Sequence, residues 1–213
     1  PPAQAELAEA IRAEALRTHA LARDLLDLAR LQSDAPHLAL DWIAADELVG
    51  SAVQSRTHAL RARALTLDLP EDLPLLRADA VLMERVLCNL LDNAVAHTPA
   101  GGRITIGARS TAVRPASDGA PAWLEIEVCD DGCGLPPGRE QAIFERFVRG
   151  TEPEPGSVAA VPAEPGRART TGDEGTGLGL ALVRAIIEAH GGSVAAHNRA
   201  SGGACFMLQM PLP

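Results

Sequence analysis

The chain has no lysine and no tyrosine, and its only aromatic side chains are two Trp and three Phe among 213 residues. All nineteen basic residues are arginine. With so much alanine and proline, this points to a compositional bias of the source genome rather than to a function. Excess positive charge is also missing. The formal net charge is −9, which argues against a nucleic-acid partner. No apolar run approaches the roughly 20 residues of a membrane span, and no signal peptide is visible. Cysteine is scarce, with four in all, and the spacing shows no metal-like pairing. Cys129 and Cys133 flank a turn without a second ligand pair. The expectation is four reduced cytosolic thiols and no zinc.

What the chain does contain is concentrated in three blocks. In Val86-Leu87-Cys88-Asn89-Leu90-Leu91-Asp92-Asn93-Ala94 the apolar residues recur at helical spacing. Arg85, Asn89, Asn93 and His97 then form one polar stripe on an otherwise apolar helix. Two central amides are costly there unless something satisfies them. They are either structural asparagines or ligands of a hydrated Mg²⁺ carrying nucleotide phosphates. The second block, Asp130-Asp131-Gly132-Cys133-Gly134, follows a strand that alternates apolar and acidic residues, Trp123 to Val128. Asp-Gly is a common turn signal. Asp130 is expected on the side away from Val128, pointing into a pocket. A carboxylate there accepts hydrogen bonds only, which suits an exocyclic amine such as that of adenine. The third block, Gly175-Thr176-Gly177-Leu178-Gly179-Leu180, opens a helix at 181–190 and presents N–H groups to anions. Its spacing is neither the dinucleotide nor the phosphate-loop pattern.

In this order the blocks resemble the N, G1 and G2 boxes of sensor histidine kinases. Ile143-Phe144-Glu145-Arg146-Phe147 resembles their F box. Leu25 to Ser33, Glu47 to Ala52, Glu84-Arg85-Val86-Leu87 and Ala189-His190-Gly191-Gly192 resemble more narrowly the KdpD type, the potassium/turgor sensors. The resemblance implies an α+β two-layer sandwich of the histidine kinase/Hsp90/gyrase ATP-binding type, preceded by one long helix. It implies ATP and Mg²⁺ as cofactors. Asp130 would take the adenine amine, with Gly132 and Gly134 beside it and His97 near the base. Asn93 would hold Mg²⁺, and Asn89 would contact the phosphates or their metal-bound waters. Gly175, Thr176, Gly177, Leu178 and Gly179 would line the triphosphate, and Arg149 would supply a cation near the lid. Hydrolytic relatives carry a glutamate at Asn89 as general base. An amide cannot serve so, and the γ-phosphate should wait for a histidine nucleophile. Where the family often has lysine the chain has Ala96, and where it has tyrosine the chain has His97. Arg85 is either a partial compensation for the lost cation or, the favoured reading, a helix-surface residue.

The expected organisation is a helix over 1–32, a linker at 33–40 and a catalytic ATP-binding domain over 41–213, with its lid at about 151–174. Strands are expected near 37–43, 64–69, 103–109, 122–129, 193–198 and 204–210, with helices near 45–60, 78–97 and 138–147. In the first helix, Leu7, Ile11, Ala15, Thr18, Ala22, Leu25 and Ala29 recur as in a helical bundle, with Leu21 and Leu28 widening the stripe. The resemblance makes this the second helix of the dimerisation and phosphotransfer hairpin. No phosphoacceptor box is present, and His19 is a poor substitute, so the chain looks like a fragment. Its parent is expected to be a membrane-anchored homodimer, with this portion cytoplasmic, acting on a response regulator of the KdpE type. The alternative is a nucleotide-binding regulatory module that transfers nothing.

Overall fold

The computed structural model describes residues 2–32, 37–111, 122–148 and 177–212. Residues 33–36 of the expected linker, the lid 151–174 and residues 112–121 fall outside these residues, as do Arg149, Gly175 and Thr176.

Helix α1 (Pro2–Leu31) opens on a proline, which suits a helix start. Next come β1 (Asp41–Ile43), α2 (Ala45–Ser55) and α3 (Thr57–Leu60). The single helix expected over 45–60 breaks at Arg56. Thr57 Oγ1 donates back to the carbonyls of Val53 (3.2 Å) and Gln54 (2.9 Å), using up acceptors that would have continued the helix. Strand β2 (Ala64–Asp68) precedes β3 (Leu76–Ala78), which pairs with β1 and was not anticipated. Asp79 then caps α4 (Ala80–His97), accepting from the N–H groups of Val81 (3.1 Å) and Leu82 (3.2 Å). The far end of α4 is closed by Arg63, whose guanidinium donates to the carbonyls of Val95 (2.6 Å) and Thr98 (2.9 Å).

Strands β4 (Arg103–Ser110) and β5 (Trp123–Asp130) follow, then α5 (Gly179–Ala189), β6 (Ser193–Asn198) and β7 (Ala204–Pro211). The main sheet runs β2-β4-β5-β7-β6, with β2 parallel to β4 and every other pair antiparallel. One face packs on the helices. Ile104, Ile106, Ile126, Val128, Phe206 and Leu208 bury it against Leu87, Leu91, Leu182 and Ile186. This is the expected two-layer α+β sandwich. The helix expected over 138–147 is only a 3₁₀ turn, Ala142–Phe144. Pro136 and Pro137 precede it and Gly138 adopts φ +77, so little chain is left to nucleate a helix.

Helix α1 uses two faces. Leu21, Leu28 and Leu31 pack on the domain core, and Leu28 is 2% exposed. The bundle seam itself stays open, with Leu7 and Ile11 each 61% exposed. The residues expected only to widen the stripe are thus the ones that dock in cis.

Candidate functional site

Asp130 ends β5 and is 1% exposed. It lies on the same side as Val128, not on the opposite side, because residues two apart in a strand share a face. That side is the helix side, so the carboxylate still points between the two layers. Its Oδ1 accepts from the N–H of Gly132 (2.8 Å) and from that of Ala204 (3.4 Å). Both donors reach one oxygen, which leaves Oδ2 as the acceptor for an outside group.

The segment after Asp130 is held from two directions. Arg199 Nη1 donates to the Asp130 carbonyl (3.0 Å) and to Asp131 Oδ1 (2.6 Å). Asn198 Oδ1 accepts from Leu135 N (2.6 Å), and Asn198 Nδ2 donates to Leu135 O (2.9 Å). Gly134, at φ +75, leaves the room this clamp occupies. A Cβ there would sit 2.6 Å from Asn198 Oδ1. At Gly132 a Cβ would lie 2.5 Å from the His97 carbonyl, so the end of α4 rests directly on the turn after β5.

Asn89 and Asn93 are half-buried, one turn apart on α4. Asn89 Nδ2 reaches 3.5 Å toward the carbonyl of Gly179, the first residue of α5. Leu178 at the N-cap has no polar side chain, so the first turn of α5 depends on acceptors from outside the helix. Gly177, within the third motif, accepts from Phe147 N (2.9 Å), which ties the F-box turn to the same corner. His97 thus meets Gly132, beside Asp130 and Gly134, where α4 ends on the turn after β5, and Asn89 meets Gly179 behind Gly177 and Leu178 at the start of α5, with Asn93 on α4 between these two contacts. Amide oxygens, a carboxylate and a helix N-terminus are the donor set for a nucleotide carried by a hard cation.

Two sequence expectations change. Arg85 is turned to α1, where its guanidinium bonds to Asp24 and Asp27. It cannot replace the cation lost at Ala96. Cys129 and Cys205 are not free thiols. They oppose each other across β5 and β7 and form a disulfide, while Cys88 and Cys133 are free. Sequence spacing missed the pair because the partners are 76 residues apart. Gly203 was missed as well. It adopts φ +86, and any Cβ there would run into the Asp130 carbonyl. The Gly202-Gly203 pair after Asn198 was its signal.

Residues 78–213 match the family model of histidine kinase-, DNA gyrase B- and HSP90-like ATPases. Sensor protein KdpD of Escherichia coli strain K12 is 41% identical over 207 residues, which is 97% of this chain and 20% of that protein. The chain thus spans about a fifth of this relative's length. The full-length ShkA crystal structure with AMPPNP superposes with a TM-score of 0.72 at 26% identity, covering 95% of this chain and 37% of that one. Histidine kinase ThkA in complex with response regulator protein TrrA gives 0.67 at 20% identity, over 94% of this chain and 49% of that one.

Proposed function

The chain belongs to the family of histidine kinase-, DNA gyrase B- and HSP90-like ATPases, and from that premise we propose that it is the ATP-binding catalytic domain of a KdpD-type two-component sensor kinase. It would bind Mg·ATP and donate the γ-phosphate to a histidine of the dimerisation hairpin. The observation that supports this reading is that one helix, α4, meets both the start of α5 through Asn89 and the turn after Asp130 through His97.

Asp130 Oδ2 accepts the adenine amine while Oδ1 stays bound to the sheet and turn. The backbone at Gly132 and Gly134 flanks the base, with His97 at its edge. Asn93 would hold Mg²⁺, which would neutralise phosphate charge, and Asn89 would contact the phosphates or their bound waters. Gly177, Leu178 and Gly179 offer backbone donors; the roles of Gly175, Thr176 and Arg149 toward the phosphates rest on the family likeness alone. No carboxylate stands at Asn89 to activate water. The domain therefore positions the phosphoryl group for an incoming imidazole rather than hydrolysing it. The ShkA structure holds AMPPNP, which supports nucleotide binding by this domain. ThkA binds a response regulator, so a KdpE-type regulator is the proposed acceptor downstream. Potassium or turgor signalling, a membrane-anchored dimeric parent and residues 1–32 as the hairpin's second helix rest on the KdpD likeness.

Calorimetric titration with ADP tests the site. Asp130→Asn should weaken binding by about 1–3 kcal/mol, roughly 5- to 150-fold, because a fixed acceptor is lost. Asn93→Ala should remove the Mg²⁺ dependence and spare adenosine binding. Unchanged ADP affinity in Asp130→Asn would take this residue out of the site. Mixing the chain with a separate histidine-bearing hairpin and labelled ATP tests the transfer, and no acid-labile label on the hairpin would refute it.

A further inference from the structure

The face of the sheet turned away from the helices carries a second group of chemically able side chains. Strand alternation sends Leu124, Ile126, Val128 and Asp130 to the helix side, and so Glu125, Glu127 and Cys129 to the outer side. In β7 the same rule sends Ala204, Phe206 and Leu208 inward and Cys205, Met207 and Gln209 outward. Register then sets Cys129 opposite Cys205, and His197 of β6 opposite Cys205 from the other flank. Three strands thus place Cys129, Cys205 and His197 in one row, with Glu127 one row away on β5.

The two sulfurs and a carboxylate oxygen of Glu127 all lie within 4.8 Å of one another, the sole such group of His, Cys, Asp or Glu ligands among the described residues. In a tetrahedral zinc site with Zn–S bonds of about 2.3 Å the two sulfurs stand about 3.8 Å apart, which fits that span once the sulfurs separate. His197 is exposed, and cross-strand neighbours bring their Cβ atoms to about 5 Å, so its ring can reach the cysteine row. A disulfide alone needs neither a carboxylate nor an imidazole beside it. Glu127 is also oriented from behind, since Arg109 Nη2 donates to its Oε1 at 2.5 Å and leaves the second oxygen for another partner.

We propose that in the reduced state Cys129, Cys205, Glu127 and His197 form a binding site for a thiophilic divalent cation, Zn²⁺ foremost. A cellular dithiol supplies two electrons and two protons to cleave the Sγ–Sγ bond and leaves as its own disulfide. Zn²⁺ then binds both thiolates as their two protons pass to solvent. Disulfide and metal are mutually exclusive occupants of the same row. Either one ties β5 to β7 a single residue from Asp130 and from Ala204, whose N–H holds the Asp130 carboxylate. Metal binding itself stands apart from the nucleotide reading and is tested without nucleotide.

The full chain is reduced with a phosphine, freed of reductant without air, and titrated with Co²⁺ as the spectroscopic probe. The expected result is one Co²⁺ per chain, with a thiolate-to-cobalt charge-transfer band and tetrahedral d–d absorption, both abolished by Zn²⁺. The bands should vanish in Cys205→Ser and persist in a Cys88→Ser/Cys133→Ser double variant. His197→Ala and Glu127→Gln, at solvent-facing positions that leave the core intact, should each weaken Co²⁺ binding about tenfold or more. Absence of the band in the reduced, folded chain would overturn the proposal. So would a band that survives Cys205→Ser, or affinity unchanged in both His197→Ala and Glu127→Gln.

Discussion

Arg109 of β4 serves two carboxylates of β5, bonding Glu125 at 2.7 Å and Glu127 at 2.5 Å. The Arg109 hydrogen bond, then that of Gln209, holds the Glu125 carboxyl below its usual range. A depressed carboxyl pKa contributes stability that is fully present above the unfolded value of about 4.3 and is lost as pH falls through the folded value. The guanidinium is 60% exposed, so screening keeps the contribution to about 0.5–1 kcal/mol. Arg109→Ala should therefore lower stability by about that amount in urea melts near neutrality, and by almost nothing near pH 2. An equal deficit at both ends of the range would mean that the arginine acts by packing. Individual residues of the site were legible to different degrees. Asp130 stood out because it opens a glycine-rich turn at the end of a strand that alternates apolar and acidic residues, yet its facing was misjudged, since the alternation groups it with the apolar Leu124, Ile126 and Val128. Gly203 and the Cys129–Cys205 pair stayed hidden because each has meaning only against a strand far away in sequence.

At the scale of elements, α1 is fastened to the domain by polar contacts as well as by apolar packing. Arg85 of α4 takes Asp24 and Asp27, whose side chains are 18% and 17% exposed, and Arg146 of the F-box turn donates to Gln32. Beneath these, Leu21, Leu28 and Leu31 supply the apolar contact. Arg85→Ala takes this cation from the partly buried Asp24 and leaves Asp27 with the more distant Arg30 at 3.6 Å, which is costlier than loss of an exposed pair. The 17–31 stretch of α1 should then exchange its amide hydrogens markedly faster, while β4, β5 and β7 keep their protection. Unchanged exchange in α1 would show that the leucines suffice. Long periodic elements such as α4, α5 and β5 were readable from sequence because burial imposes a repeat on them. Strand β3 was not, since Leu76-Arg77-Ala78 is too short to show one. The break at Arg56 lay in a threonine's bonding rather than in apolar spacing.

For the molecule as a whole, the order β2-β4-β5-β7-β6 has a kinetic consequence. Strands β6 and β7 are consecutive and antiparallel, so they can zip with little chain to close. Strands β2 and β4 are parallel, and a parallel pair requires a crossover, here built from β3 and α4. Loop-closure entropy must be met before that pairing returns anything, which makes it the slow event. Pulse-labelled hydrogen exchange during refolding should find the β6 and β7 amides protected first and those of β2 last, and simultaneous protection of β2 would contradict this order. The crossover helix is also the one that carries Asn89 and Asn93. A chain arrested midway on this route would present Asp130 within a formed sheet while the amide row opposite it had yet to arrive.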